Sequence, residues 1–354
     1  MIPVPYIEYV NVRIRSYHSQ LFPRDVYEDL VAGDNLGTMT TFLLDQPIYR
    51  NDIQGALEGV PEREGLERGV NDHFVRRTSE ILHMTDGKNR RLFQIALSSF
   101  DLRNLRVILL ARRRGLPFHN IRDMIVPCGS LDHDKLLNIF TAADFDEIVQ
   151  SLSTCCPIVE EAMRKAVSET TDKDPSVKIL NRLEHYFYRN ILKLLATTDD
   201  DIKILRDIFS FEIDLKNIIS ALKFVWEGTL PGKDNFDTYI SGGSINTQLL
   251  HDLSHAAGLD EAMEMIESTQ FHRAVEKGII YYAETGFLHE MERFFEELFI
   301  NKALSYRRFH PFGLGVFIGY IWGQFVEMTN LRTIINGIAF KTGTGQIRKG
   351  LIYV

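Results

Sequence analysis

The sequence predicts an all-α protein built from one helical unit used three times. Three observations carry this: apolar residues recur at helical spacing, strand-like alternation is scarce, and one polar pattern returns at a fixed interval. With 354 residues the chain is long enough for two or three domains, each burying its own core. Its 45% hydrophobic and 25% charged residues are ordinary for a folded globular protein.

The helical reading starts from Leu102, Leu105, Ile108 and Leu109, which form one apolar stripe. Arg112, Arg113 and Arg114 follow, then Gly115 and Pro117. Cations in a last turn favour the negative end of the helix dipole, and glycine then proline end it. Asp144–Ser153, Lys178–Leu195, Leu259–Ser268 and Glu290–Leu304 are amphipathic in the same way. The most apolar stretch is FGLGVFIGYIW, from Phe312 to Trp322. A membrane span needs roughly 20 apolar residues, so this stretch predicts a buried helix instead.

The repeat is read from three segments: FDLRNLRVILLARRRGLP from Phe100, IDLKNIISALKFVWEGTLP from Ile213, and VEMTNLRTIINGIAFKTG from Val326. Each holds an acidic residue, two others, then asparagine and an aliphatic. The pairs are Asp101 and Asn104, Asp214 and Asn217, Glu327 and Asn330. Asn217 lies 113 residues beyond Asn104 and 113 before Asn330. Gly115 and Gly228 stand eleven places after their asparagines, where the third copy has Lys341. A fainter second element, GSLDHDKLLNIFTAADFDEIV from Gly129, is similar to GSINTQLLHDLSHAAGLDEAM from Gly243; RDVYEDLVAGDNLGTMTTFL has the same character without the glycine lead-in. The expected units are residues 1–115, 116–229 and 230–354. Residues three apart on a helix share a face. The six polar residues are therefore expected to clasp helices together, with each asparagine bonding a neighbouring backbone carbonyl. Three such units can form an open solenoid or close into a ring or funnel.

The function classes excluded are as informative. A formal net charge of −8 argues against nucleic acid as the main partner. Cys128, Cys155 and Cys156 match neither a zinc spacing nor a disulfide framework, which fits a reducing compartment. The N-terminal MIPVPYIEYVNVRIR lacks the apolar run of a signal peptide. His251 and His255 have a helical metal-ligand spacing, but Asp252 stands where a zincin needs glutamate. Asp199, Asp200 and Asp201 precede an apolar run and are read as a helix N-cap. Lys341–Gly345 lacks the order of a phosphate-binding loop and is read as a loop before a terminal segment. The basic stretch Arg103, Arg106, Arg112, Arg113 and Arg114 is read as a solvated face and helix end. No catalytic, cofactor-binding or metal-ligating residue is expected.

Taken in order, these motifs resemble the C-subunit family of V/A-type ATPases, whose members in vacuolar pumps are called the d subunit. Tyr9-Val10-Asn11-Val12-Arg13-Ile14-Arg15 is similar to the family's opening Tyr-x-Asn-x-Arg-x-Arg. Asp101–Arg106 with Ala111, Arg112 and Gly115 resembles its central helix, and Gly319-Tyr320-Ile321 through Asn330–Ile334 its C-terminal signature. Thr171–Ser176 and Lys341–Gly345 depart from that pattern. The resemblance implies a funnel-shaped, pseudo-threefold, non-catalytic socket on the cytoplasmic face of a membrane. Its implied partners are the D and F subunits of the central shaft and the membrane proteolipid ring, with no bound nucleotide. Its implied task is torque transmission between ion movement and ATP chemistry. Two other readings of the residues stand beside it: a helical solenoid scaffold for unrelated protein partners, and a helical metalloenzyme using His251 and His255.

Overall fold

Three local signals set where the helices of this chain begin and end. They are an acceptor side chain before the first turn, a left-handed residue after the last, and an apolar stripe between. The structure, a computed structural model, describes residues 7–170, 176–196, 199–229, 238–285 and 289–353. Among these residues every regular element is helical.

In chain order the α-helices are α1 (Ile7–His18), α2 (Arg24–Gly33), α3 (Leu36–Asp45), α4 (Arg50–Ala56), α5 (Glu62–His83) and α6 (Gly87–Arg113). Two short 3-10 turns, Phe118–Asn120 and Arg122–Met124, lead to α7 (His133–Thr141), α8 (Phe145–Ser153) and α9 (Pro157–Ser168). Next come α10 (Ser176–Leu194), α11 (Asp200–Glu227), α12 (Thr247–Ser254), α13 (Leu259–Ile266) and α14 (His272–Thr285). The chain ends with α15 (His289–Phe309), α16 (Leu314–Ala339) and α17 (Thr344–Gly350). Parts of the stretches noted above, 171–175 and 230–231, lie outside the described residues.

Asn35, Asp144, Asp199 and Asn246 each accept a backbone N–H from the first turn of the helix they precede. The acidic run Asp199–Asp201 is thus the start of α11, with Asp199 bonding the Asp201 amide at 3.1 Å. The three longest helices, α6, α11 and α16, end alike. Gly115, Gly228 and Lys341 adopt φ of +65°, +63° and +55°. The following amides reach back five residues, Leu116 to Ala111, Thr229 to Phe224 and Thr342 to Gly337, at 3.0, 3.0 and 2.8 Å. This is the double-bonded C-terminal cap that glycine favours, since it has no Cβ to strain a positive φ.

The chain divides into two compact units, Met1–Thr141 with Leu304–Val354, and Ala142–Ala303. The core of the first is aromatic. Phe93 stacks on Phe317 at 3.9 Å, and Phe74, Phe100 and Phe325 meet at 5.7–6.3 Å, with Trp322 stacked on Phe100. These rings join α5, α6 and α16, and burying each contributes about 1.5–3 kcal/mol. In the second unit α9 packs along α10, while Phe187, Tyr188 and Phe209 cluster between α10 and α11.

The apolar stretch read as a buried helix is α16, with one correction. The helix starts at Leu314 and is buried on nearly every side, but Phe312 lies before it and is 71% exposed. Gly313, at φ +66°, turns the chain ahead of the helix and leaves that ring outside. Hydrophobicity could place a helix there but not the point at which the chain turns in. No helix among the described residues is long and apolar enough to cross a membrane.

Lys341 is the one member of the three caps with a Cβ to strain. Lys341→Gly is expected to raise unfolding free energy by about 0.5 kcal/mol, the left-handed cost less glycine's added chain entropy. Urea denaturation of the purified chain checks the sign.

Candidate functional site

The repeated polar residues are the obvious place to look for chemistry, and their geometry answers what they can do. All six are buried, with at most 3% of any residue exposed. Their own helices cannot supply partners for the side chains, so the chain must bring them from elsewhere.

The three asparagines do this identically. Asn104 donates Nδ2 to the Val126 carbonyl and accepts the Val126 amide on Oδ1, both at 2.8 Å. Asn217 holds Ile240 in the same two-bond grip at 2.9 and 2.8 Å. Asn330 holds Ile352, again at 2.9 and 2.8 Å. Each side-chain amide thus pairs with the N–H and the C=O of one residue as a neighbouring strand would, leaving both of that residue's backbone polar groups satisfied.

The carboxylates grip the segment that follows. Asp101 accepts the Ser130 and Leu131 amides at 2.9 and 3.0 Å. Asp214 accepts the Ser244 and Ile245 amides, both at 3.0 Å, together with the Ser244 hydroxyl. A Cβ placed on Gly129 would meet Asp101 Oδ1 at 2.4 Å, and one on Gly243 would meet Asp214 Oδ1 at 2.1 Å. The glycine lead-in therefore gives the carboxylate room to reach the next two amides.

The third carboxylate differs. Glu327 accepts the Phe22 amide at 2.5 Å and the Tyr49 hydroxyl at 2.7 Å. Phe22 stands two residues before α2, as Leu131 stands before α7 and Ile245 before α12. No glycine lead-in is present there, and the longer glutamate side chain takes a tyrosine as its second donor. Burial pushes the Glu327 carboxyl up to about 7, although its bonds from Phe22 and Tyr49 pull the other way.

Sequence reading missed the network behind Tyr49. The ring stacks on His73 at 3.9 Å, and His73 meets Asp52 at 2.9 Å. Arg76 closes on Asp52 with bonds of 2.7–3.2 Å. Burial works to raise the Asp52 carboxyl, but bonds from His73 and Arg76 outweigh it and hold it down at about 2. Burial lowers His73, with Asp52 opposing. These residues lie on α4 and α5 without a common spacing, so no motif announced them.

The remaining sequence candidates are placed as follows. His251 and His255 stack at 4.1 Å, and His255 Nδ1 faces the His251 carbonyl at 2.8 Å. Among the described residues no group of three or more His, Cys, Asp and Glu side chains is arranged to hold a metal ion. Arg112 donates to the Ile139 carbonyl at 2.8 Å, and Arg103 lies over the Phe325 ring. Lys341–Gly345 makes the helix cap already described and the first residues of α17. The three cysteines are free thiols.

A sequence profile described as ATP synthase (C/AC39) subunit matches residues 10–350, nearly the whole chain. The chain belongs to that family. Relatives named as the C subunit of A-type ATP synthase align over almost all of it. That of Methanocaldococcus jannaschii is 22% identical over 97% of this chain and 86% of its own length. Those of Methanococcoides burtonii and Pyrococcus horikoshii are 23% and 22% identical, covering 97% and 98% of this chain and 93% and 90% of theirs.

For this C/AC39 family member the clasps give two expected outcomes. Asn217→Leu keeps the volume but strands the Ile240 amide and carbonyl, and should destabilise the chain by about 3 kcal/mol, as measured by chemical denaturation. Glu327 gives a pH signature. Between the ordinary carboxyl value near 4.5 and about 7, the folded chain holds a proton that the unfolded chain has released. Its contribution is therefore complete below that window and is lost as pH rises through it, at about 1.4 kcal/mol per pH unit. Comparing unfolding free energies at pH 5 and pH 8, Glu327→Gln should flatten this slope; an unchanged difference would count against the buried proton.

Proposed function

We propose that the chain is the non-catalytic central-stalk socket of a V/A-type rotary ATP synthase or ATPase. In this reading it sits peripherally on the cytoplasmic face of the membrane. It joins the D and F subunits of the shaft to the proteolipid ring and passes torque between ion movement and ATP synthesis or hydrolysis. The observation that carries the reading is the family match over residues 10–350 together with the C-subunit relatives aligned over most of their length.

The physical properties of the chain support it. A part that transmits torque needs stiffness, and stiffness comes from close packing and buried, satisfied polar contacts. The three longest helices carry both. The repeated residues Asp101, Asn104, Asp214, Asn217, Glu327 and Asn330 are spent on backbone groups of the chain itself, and serve as packing devices in three pseudo-threefold units, 1–115, 116–229 and 230–354. A funnel is the closed form of that arrangement. The reaction and the ion belong to other subunits, so no nucleotide, metal or cofactor is assigned to this one.

Co-purification tests the reading. The chain should come away from detergent-solubilised membranes with the rotary ATPase, including its shaft subunits and ring. A complex that assembles fully without this chain would refute the socket role. Asn217→Leu should reduce assembly while nucleotide hydrolysis by the isolated soluble head stays unchanged.

A further inference from the structure

The turn between α15 and α16 presents an unusual surface. Residues Arg308, Phe309, His310, Pro311 and Phe312 are all exposed in succession. Phe309 is 75% exposed and Phe312 71%, the two most exposed large apolar side chains described. Tyr9 and Val12 on α1, 51% and 64% exposed, add to the apolar surface of that unit. Arg15 of α1 ties itself to this turn, donating to the Pro311 carbonyl at 2.5 Å with its guanidinium 6.0 Å from the Phe312 ring.

The charges here are of one sign. Arg15, Arg307 and Arg308 are close enough that the first and third lower the basicity of Arg307, after burial, and no carboxylate offsets them. None of the three forms an ion pair with a described carboxylate. Arg307 instead faces His18, whose ring is pushed down to about 4 by burial and by that positive charge. Cations at a helix C-terminus answer the dipole of α15. That accounts for Arg307 and Arg308 but not for two phenylalanines in water beside them.

We infer that the Arg15, Arg308, Phe309 and Phe312 tip is a docking surface for a bilayer containing anionic lipid. Guanidinium groups would meet lipid phosphates while the two rings enter the headgroup boundary. Three uncompensated cations call for an anionic partner. Two largely exposed rings call for one with apolar matter just beneath its charge. A bilayer supplies both in layers, and it accepts a small exposed turn, whereas a stable protein interface needs about 800 Å² from each partner. The choice of a bilayer over an acidic protein segment also rests on the membrane-bound assembly proposed above.

The test is co-sedimentation of the purified chain with phosphatidylcholine vesicles made with and without phosphatidylglycerol. Wild type should bind the anionic vesicles and not the neutral ones, and binding should fade as salt screens the charges. Arg15→Ala with Arg308→Ala should weaken partitioning roughly thirty-fold, at about five-fold per arginine. Phe309→Ser with Phe312→Ser should weaken it at unchanged salt dependence, and Arg113→Ala with Arg114→Ala should leave it intact. Circular dichroism confirms that the exposed-site variants fold. Equal binding to both vesicle types, or full binding by either tip variant, overturns the proposal. Absence of vesicle binding, with tip variants that fail to join the ATPase, would assign the tip to a protein partner and overturn it as well. Selective vesicle binding by a chain that does not co-purify with a rotary ATPase would uphold the tip and refute the socket role.

Discussion

A buried carboxylate with an asparagine one helical turn beyond it leaves the chain little choice about where to go next. Such groups cost several kcal/mol if left without partners in a low-dielectric interior. Each helix that carries a pair must therefore be followed by a segment that returns and offers its backbone. Val126, Ile240 and Ile352 lie 22, 23 and 22 residues beyond their asparagines, so the return path is nearly the same length each time. The helix stop eleven residues after the asparagine, the left-handed cap and the glycines at 129 and 243 are the means of meeting that requirement.

The third copy meets the same requirement with a different segment. Ile352 still reaches Asn330, but the donors to Glu327 are Phe22 and Tyr49, about 300 residues earlier in the sequence. One residue on α16 thus ties the last helices to the first, and both ends of the chain fall in one compact unit. Two backbone amides beside a glycine hold the aspartate in the other two pairs, whereas one amide and one phenol hold Glu327, whose carboxyl burial pushes up to about 7.

Much of this was legible from residues alone. The equal spacing of Asn104, Asn217 and Asn330 reported the repeat, and the run from Arg112 to Pro117 reported a helix end, because both rest on local rules. Glu327's partners were not legible, since Phe22 and Pro23 carry no glycine signature; the one clue was the change from aspartate to glutamate. The Asp52, His73 and Arg76 cluster was invisible for a related reason: it depends on α4 lying against α5, which no spacing states. Phe312 was misplaced because an apolar run tells where water is avoided on average, not which ring is left behind when the backbone turns at Gly313.

The clasps also bear on why a mechanical part would keep polar groups in its core at all. A helix held only by apolar ridges can slip one turn, about 5.4 Å, and seat its side chains in the next set of grooves. With a carboxylate and an asparagine gripping fixed backbone groups, the same slip strands several buried donors and acceptors at once, at a cost comparable to the stability of a whole domain. Hydrophobic packing supplies most of the cohesion between α6 and α16, as the stacked pair Phe93 and Phe317 and the edge-on pair Phe100 and Phe325 show. The polar pairs supply register. In a part that passes torque, the role proposed above for this chain, sliding of one helix past another is the failure that packing alone resists least, and it is the one these three pairs oppose.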